Sequence, residues 1–228
     1  PRVTSMLDNL HKEVLLHKNV EKALFSQHFF KTKKGEYGYG DVFYGLTVPQ
    51  SRKIAIKFKD ISLKDTQKLL ASKVHEERLI ALFILVNKFN KASDLEKKEI
   101  YDLYLDHTEC VNNWDLVDTS AEYIVGAHLE NRPRSILKKL AKSNNLWEKR
   151  IAMLSCFHFI RKEDFKDALQ IAETLLKDDH DLIHKAVGWM LREIGNRDLK
   201  IELEFLDKHT LRMPRTTLRY AIERFPEK

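Results

Sequence analysis

His75-Glu76-Glu77-Arg78-Leu79-Ile80-Ala81-Leu82 returns as Trp147-Glu148-Lys149-Arg150-Ile151-Ala152-Met153-Leu154. Arg78 and Arg150 stand 72 residues apart, two spans of 36, and Trp114 lies halfway in Asn112-Asn113-Trp114-Asp115-Leu116-Val117-Asp118. Lys185 holds the same register in Ile183-His184-Lys185-Ala186-Val187-Gly188-Trp189, and Arg219 holds it in Thr217-Leu218-Arg219-Tyr220-Ala221-Ile222. The positions 78, 114, 150, 185 and 219 are thus separated by 36, 36, 35 and 34 residues. That is the length of one helix-turn-helix unit, and a unit this small cannot bury its apolar face alone. The reading is therefore an all-α chain. It is expected to form an α-solenoid of stacked antiparallel helix pairs of the HEAT or armadillo kind, curved around a concave face. Residues 1–228 are expected to make one continuous domain.

Outside the register the apolar residues keep a helical period. Helices are expected over 5–30, 49–59, 62–72, 75–90, 93–106, 113–125, 132–142, 145–161, 164–177, 181–195, 198–209 and 214–224. Asn113 and Asn145 stand where capping residues belong, and Pro133 and Pro214 fit first-turn positions. Gly126, Gly195-Asn196 and Phe225-Pro226 read as stops. Seven glycines and five prolines are too few for a many-turned β-sandwich. One long irregular stretch, 31–48, carries Gly35, Gly38 and Gly40, whose backbone N–H groups could cradle a phosphate. No strand precedes it and no Gly-Lys-Ser/Thr follows, so an ordered surface loop is the plainer expectation. Residues 42–48 can form a short extended segment.

Charge is unevenly placed. Residues 1–131 hold 19 Lys/Arg against 19 Asp/Glu, whereas 132–228 hold 21 against 15 and so carry the whole net charge of +6. A basic half favours a polyanionic partner, although a solvated surface accounts for charge alone. No run of about 18 apolar residues exists to span a membrane. Pro1-Arg2-Val3-Thr4-Ser5 has no apolar signal core. Cys110 and Cys156 lie beside apolar helical residues with no CxxC and no metal spacing, so buried reduced thiols and a cytoplasmic setting are expected. Asp178-Asp179-His180-Asp181 and His184 have metal-type side chains, but they sit at an inter-helix turn where capping is the better account.

The register holds Arg, Trp, Arg, Lys, Arg, and core positions do not read that way. The expectation is a ladder of cations along one face. Trp114 and Asp118 are four apart and share one helix face; so do Lys185 and Trp189, with Arg192 three further on. A curved stack would gather Trp114, Asp118, Arg150 and Trp189 around one concave site. Indole faces attract a cation or pack on a sugar edge. A carboxylate between them stabilises developing positive charge or orients a water. Flanking Arg and Lys hold phosphates. Each residue also has a plain structural role open to it: the tryptophans as core anchors, Asp118 as a hydrogen-bond acceptor, Arg150 as an ion-pair partner of Asp118 or Glu148. Trp147 reads as packing.

At Asn113-Trp114-Asp115-Leu116-Val117-Asp118, Leu146-Trp147-Glu148-Lys149-Arg150 and His184-Lys185-Ala186-Val187-Gly188-Trp189-Met190-Leu191-Arg192-Glu193 the chain resembles the AlkD-type bacterial DNA glycosylases. These are alkylpurine repair enzymes built of HEAT-like repeats. The resemblance runs from about Phe29-Phe30-Lys31-Thr32 to the C-terminus. It implies Trp114, Asp118 and Trp189 as catalytic residues and Arg150 as a phosphate contact; Lys185 and Arg192, flanking Trp189 on its helix, are read from their spacing as further substrate-binding cations. It implies hydrolysis of the N-glycosidic bond of cationic N3- or N7-alkylated purines in double-stranded DNA, by a monomer without metal or cofactor. The loop at 35–41 takes no role from it. Two other readings stand beside it. One is a non-catalytic DNA-binding solenoid, which uses the same cations and in which Trp114 and Asp118 would be dispensable. The other is a protein-interaction scaffold, the commonest use of helical repeats, with no DNA affinity at moderate salt.

Overall fold

The computed structural model describes residues 3–226, and these form helices with no β-strand; Val42 and Val74 make an isolated parallel bridge. The chain divides into two compact units, one ending at Ser120 and one beginning at Ala121.

The N-terminal unit holds α1 (Met6–Leu16), α2 (Val20–Phe29), α3 (Val48–Lys57), α4 (Leu63–Leu70), α5 (His75–Lys91), α6 (Asp94–Asp106) and α7 (Trp114–Asp118). The single helix expected over 5–30 is broken. His17 ends α1, and the Asn19 side chain accepts the Lys22 N–H to start α2. A local cap inside an unbroken apolar period decides the boundary. α5 is the centre of this unit and packs on α3, α4, α6 and α7. Its Ile80, Leu82, Ile84 and Leu85 are fully buried. The expected helix over 113–125 is also interrupted. Asn113 caps Trp114 as read, but α7 stops at Asp118. The hydroxyls of Thr119 and Ser120 donate back to the carbonyls of Asp115 and Leu116, competing with the helix ladder there.

The C-terminal unit opens on a π-helical turn (Glu122–Gly126). It continues through α8 (Ser135–Ala141), α9 (Leu146–Ser155), α10 (Phe157–Ile160), α11 (Lys166–Leu175), α12 (Asp181–Arg197), α13 (Leu199–His209) and α14 (Arg215–Ala221). α8 pairs with α9 and α11 with α12, while α12 packs between α9 and α14 and α8 packs on α11. Two layers result, and register positions 150, 185 and 219 all fall on the α9–α12–α14 layer. This is the stacked-pair arrangement that the 34–36-residue period demands. Asn145 caps α9 by accepting the N–H groups of Trp147 and Glu148, and Trp147 is buried in packing. The expected helix 145–161 breaks at Cys156 into α9 and α10. Pro133 precedes the first turn of α8, which Arg134 caps. Its guanidinium holds the Leu129 and Glu130 carbonyls, fixing the turn ahead of the helix. Pro214 is likewise the cap of α14. Cys156 is buried; Cys110, in the N-terminal unit, is only half-buried, and both are free.

Gly126 and Gly195 lie inside helices and stop neither. Each is needed for close approach: a Cβ on Gly126 would lie 2.3 Å from the Ser155 carbonyl oxygen, and one on Gly195 would lie 2.7 Å from the Glu202 carboxyl. Glu202 is buried, and its Oε2 has no hydrogen-bond partner. Burial pushes its carboxyl up to about 8, against the pull of Arg192. Between the ordinary glutamate range and about pH 8 the folded chain therefore holds a proton that the unfolded chain has released, so stability falls as pH rises through that window. The melting temperature should drop from about pH 5 to about pH 8, and Glu202→Gln should flatten that slope in thermal unfolding. An equal slope in both proteins would show that Glu202 does not hold the proton.

Candidate active site

In the N-terminal unit, Trp114 begins α7 and Asp118 ends it, and both are half-exposed. The Trp114 ring stacks on Phe30 at 5.4 Å and meets the edge of Phe29 at 6.0 Å. Phe30 in turn lies against Phe43 at 5.2 Å and the His75 imidazole at 4.9 Å. The charge of Asp118 reaches the buried Tyr104. The phenol of Tyr104 is raised well above its ordinary value by burial, against the Ser120 hydrogen bond, with a smaller push from the Asp118 charge.

Beneath this wall lies a polar cluster on the first turn of α5. His75, Glu76, Glu77 and Arg78 are all buried. His75 donates Nδ1–H to Asp41 at 2.6 Å and Nε2–H to Asp115 at 2.7 Å. Burial opposes the imidazolium, but Asp115 and Asp41 outweigh it and raise His75 to about 9. Both ring nitrogens are then donors, as the geometry requires. Arg78 donates to Asp41, to Asn112 and to the Ser72 carbonyl. Glu77 meets His11 at 2.9 Å.

Glu76 is held by the last residues of the irregular stretch, beyond Gly35, Gly38 and Gly40. Its carboxylate accepts the backbone N–H groups of Tyr44 (3.0 Å), Gly45 (2.6 Å) and Leu46 (3.0 Å). The Gly38 N–H donates to the Lys31 carbonyl. Gly45 sits at φ +89, and a Cβ there would lie 2.1 Å from the Asn19 carbonyl oxygen, so the loop closes on α2 only with glycine.

In the C-terminal unit, Trp189 is half-buried on α12 and meets Phe157 edge-on at 5.7 Å. The Phe157 face carries the Arg161 guanidinium at 3.8 Å. Arg161 also pairs with the buried Glu122 at 2.9 Å. Gly188, one residue before Trp189, lets α12 meet α14: a Cβ would lie 2.5 Å from the Thr217 carbonyl oxygen. Arg150 is buried and donates to the Leu182 carbonyl at 2.6 Å. Lys185 pairs with Asp181 at 3.1 Å, and Arg192 pairs with Glu223. The acidic turn before α12 is a capping site. His180 accepts the Leu182 N–H, and Asp178 accepts the His180 N–H and pairs with Lys149.

The cation ladder is thus corrected. Arg78 and Arg150 are buried and tie helices to neighbouring backbone, while Lys185 is half-exposed and Arg219 exposed. A long side chain at a repeat interface can reach a carbonyl inside as readily as a phosphate outside. Trp114 and Asp118 share α7, and Lys185, Trp189 and Arg192 share α12 with Arg150 bonded to its first turn. The sequence reading missed His75, Asp41, Asp115 and Phe30. Their one visible signal was four consecutive polar residues directly before the uninterrupted apolar run 79–86 of α5.

The sequence profile of one family, described as DNA alkylation repair enzyme, matches residues 10–225. No curated protein matches the chain by sequence. Among solved structures, a predicted DNA alkylation repair enzyme from Enterococcus faecalis is similar at a TM-score of 0.71 and 15% identity, covering 93% of this chain and 98% of its own. AlkD2 from Streptococcus mutans is similar at 0.58 and 19%, covering 98% of this chain and all of its own. The protein smu.31 from Streptococcus mutans UA159 is similar at 0.57 and 18%, with the same coverage. At these identities the likeness concerns the fold.

Proposed function

Because the chain belongs to the DNA alkylation repair enzyme family, we propose that it is a DNA glycosylase that releases cationic N3- or N7-alkylated purines from double-stranded DNA. The observation that carries this reading is α7 itself. One short helix holds an indole and a carboxylate, both half-exposed, with the indole braced on a stacked aromatic wall.

Alkylation leaves the purine positively charged, so it departs as a neutral base that takes the electron pair of the C1′–N bond, and no strong general acid is needed. The sugar gains oxocarbenium character as that bond breaks. Asp118 stabilises the charge and accepts a proton from the water that adds to C1′. Trp114 favours the cationic sugar through its ring face, and Trp189, on α12 of the C-terminal unit, is proposed to offer a second indole to the DNA. Lys185 and Arg192 are the proposed phosphate contacts, while Arg150, buried on the Leu182 carbonyl, is proposed to reach phosphate only if DNA draws it from that bond. For Lys185 and Arg192 this means exchanging the carboxylates of Asp181 and Glu223 for phosphate, so binding weakens with salt.

The test is incubation of micromolar enzyme with methylated duplex DNA in the presence of a chelator, with released bases resolved by chromatography. Free 7-methylguanine or 3-methyladenine is expected. Salt-dependent DNA binding without release would replace this reading with a non-catalytic DNA-binding role. Absence of DNA affinity at moderate salt would favour an interaction scaffold.

A further inference from the structure

We propose that His75 is a positioning residue: clamped between Asp41 and Asp115, it fixes the first turn of α7 and the plane of the Trp114 ring. Two independent contacts carry this. The first is the hydrogen bond from Nε2 to Asp115, the residue directly after Trp114. Asp115 also accepts the Leu116 N–H at 2.8 Å, so its carboxylate is fastened to both His75 and the start of α7. The second is aromatic. The imidazole lies 4.9 Å from Phe30 and stacks on Phe43 at 4.5 Å, and Phe30 is the ring on which Trp114 rests. A shift of His75 therefore reaches α7 through the backbone side and Trp114 through its stacking face.

The state of His75 matters because both of its partners are carboxylates. As an imidazolium it donates to each. As a neutral ring it has one N–H, and the other nitrogen faces a carboxylate with no proton between them. That repulsion sits in a buried site, where it is poorly screened. The charged groups around it are Asp41 from the loop, Asp115 from α7, and Arg78 from its own helix, which pairs with Asp41 at 2.9 Å. Glu76 and Glu77 turn to other partners, the loop amides and His11. Loss of the His75 proton is thus expected to release Asp115 and let α7 turn. Since His75 is held up to about 9, this stabilisation is fully present below the ordinary histidine value and is lost as pH rises through about 9.

The catalytic consequence rests on the glycosylase reading, whereas the coupling of His75 to Trp114 does not. Two measurements keep them apart. The three tryptophans give three indole N–H resonances, and Trp114→Phe identifies one of them. In the wild-type protein the Trp114 resonance should titrate with a midpoint near the His75 value of about 9. In Asp115→Asn, which removes one carboxylate, the midpoint should move to lower pH. A Trp114 signal that does not titrate with His75, or an identical midpoint in Asp115→Asn, overturns the coupling, and neither measurement needs a His75 variant that folds. On methylated DNA, His75→Gln should lower kcat on the order of tenfold to a hundredfold with KM nearly unchanged, as misplacement of a reacting constellation does. Asp115→Asn should shift the alkaline limb of kcat downward with the resonance. A coupled resonance in a protein that releases no base would leave His75 as the anchor of α7 and remove the glycosylase reading.

Discussion

Asp118→Asn should lower the rate of alkylpurine release by on the order of a hundredfold or more, while changing DNA affinity by less than about threefold. The amide keeps the size and the acceptor oxygen of the carboxylate but not its charge. The charge is what a sugar cation needs, and the basic oxygen is what takes the proton of the attacking water. Asp118 is half-buried at the last residue of a five-residue helix, where its charge already reaches the buried Tyr104. The variant should keep its fold, because the aromatic wall holds α7 through Trp114 and the first-turn contact of Asp115 holds it from beneath. Single-turnover base release, beside a binding isotherm on the same DNA, reads both quantities. Retention of release within about tenfold of wild type would show that Asp118 is not the group that meets the sugar.

Glu76→Ala should destabilise the chain by about 3–5 kcal/mol, because three backbone N–H groups lose a charged acceptor, each such bond being worth about 1.5–3 kcal/mol before the loop relaxes. Its carboxylate is 4% exposed and accepts three consecutive backbone N–H groups. Alanine leaves those donors buried or forces the loop open, at about 1–3 kcal/mol for each orphaned group before relaxation. Glu76→Gln retains one acceptor oxygen and should lie between the two. Urea or thermal unfolding gives the ordering directly. A Glu76→Ala protein melting within about 2 °C of wild type would mean that the loop amides find water at no cost.

Periodicity in the sequence carried the all-α fold and the stacked pairs, because a 34–36-residue repeat of apolar faces has few other solutions. Asn113 and Asn145 were legible as caps for a local reason: the residue and the amides it caps are neighbours in sequence. Gly126 and Gly195 were misread for the opposite reason. The atoms that exclude a Cβ there, the Ser155 carbonyl and the Glu202 carboxyl, come from other segments of the chain. Arg78 and Arg150 looked like surface cations because burial of a guanidinium depends on a distant carbonyl or carboxylate being in reach. The pair Trp114 and Asp118 was visible through its i, i+4 spacing on one short helix. Their support was not, since His75 bonds residues 34 positions before and 40 positions after it.

α2 has no buried residue, and Val20, Leu24 and Phe25 are about two-thirds exposed. The helix is fixed at its ends, by the Asn19 N–H to the Tyr44 carbonyl and by Phe29 and Phe30. Little apolar area opposes its local opening, so its amides belong to the fastest-exchanging class, while those of α5 exchange only with the global transition. Trp114 therefore stands between two mechanically unlike neighbours. Through Phe30 it rests on the buried, ion-paired side of the unit. Through Phe29 it touches the anchored end of a helix whose exposed earlier turns have little to hold them, so the indole has a rigid backstop and a front tied to a yielding segment.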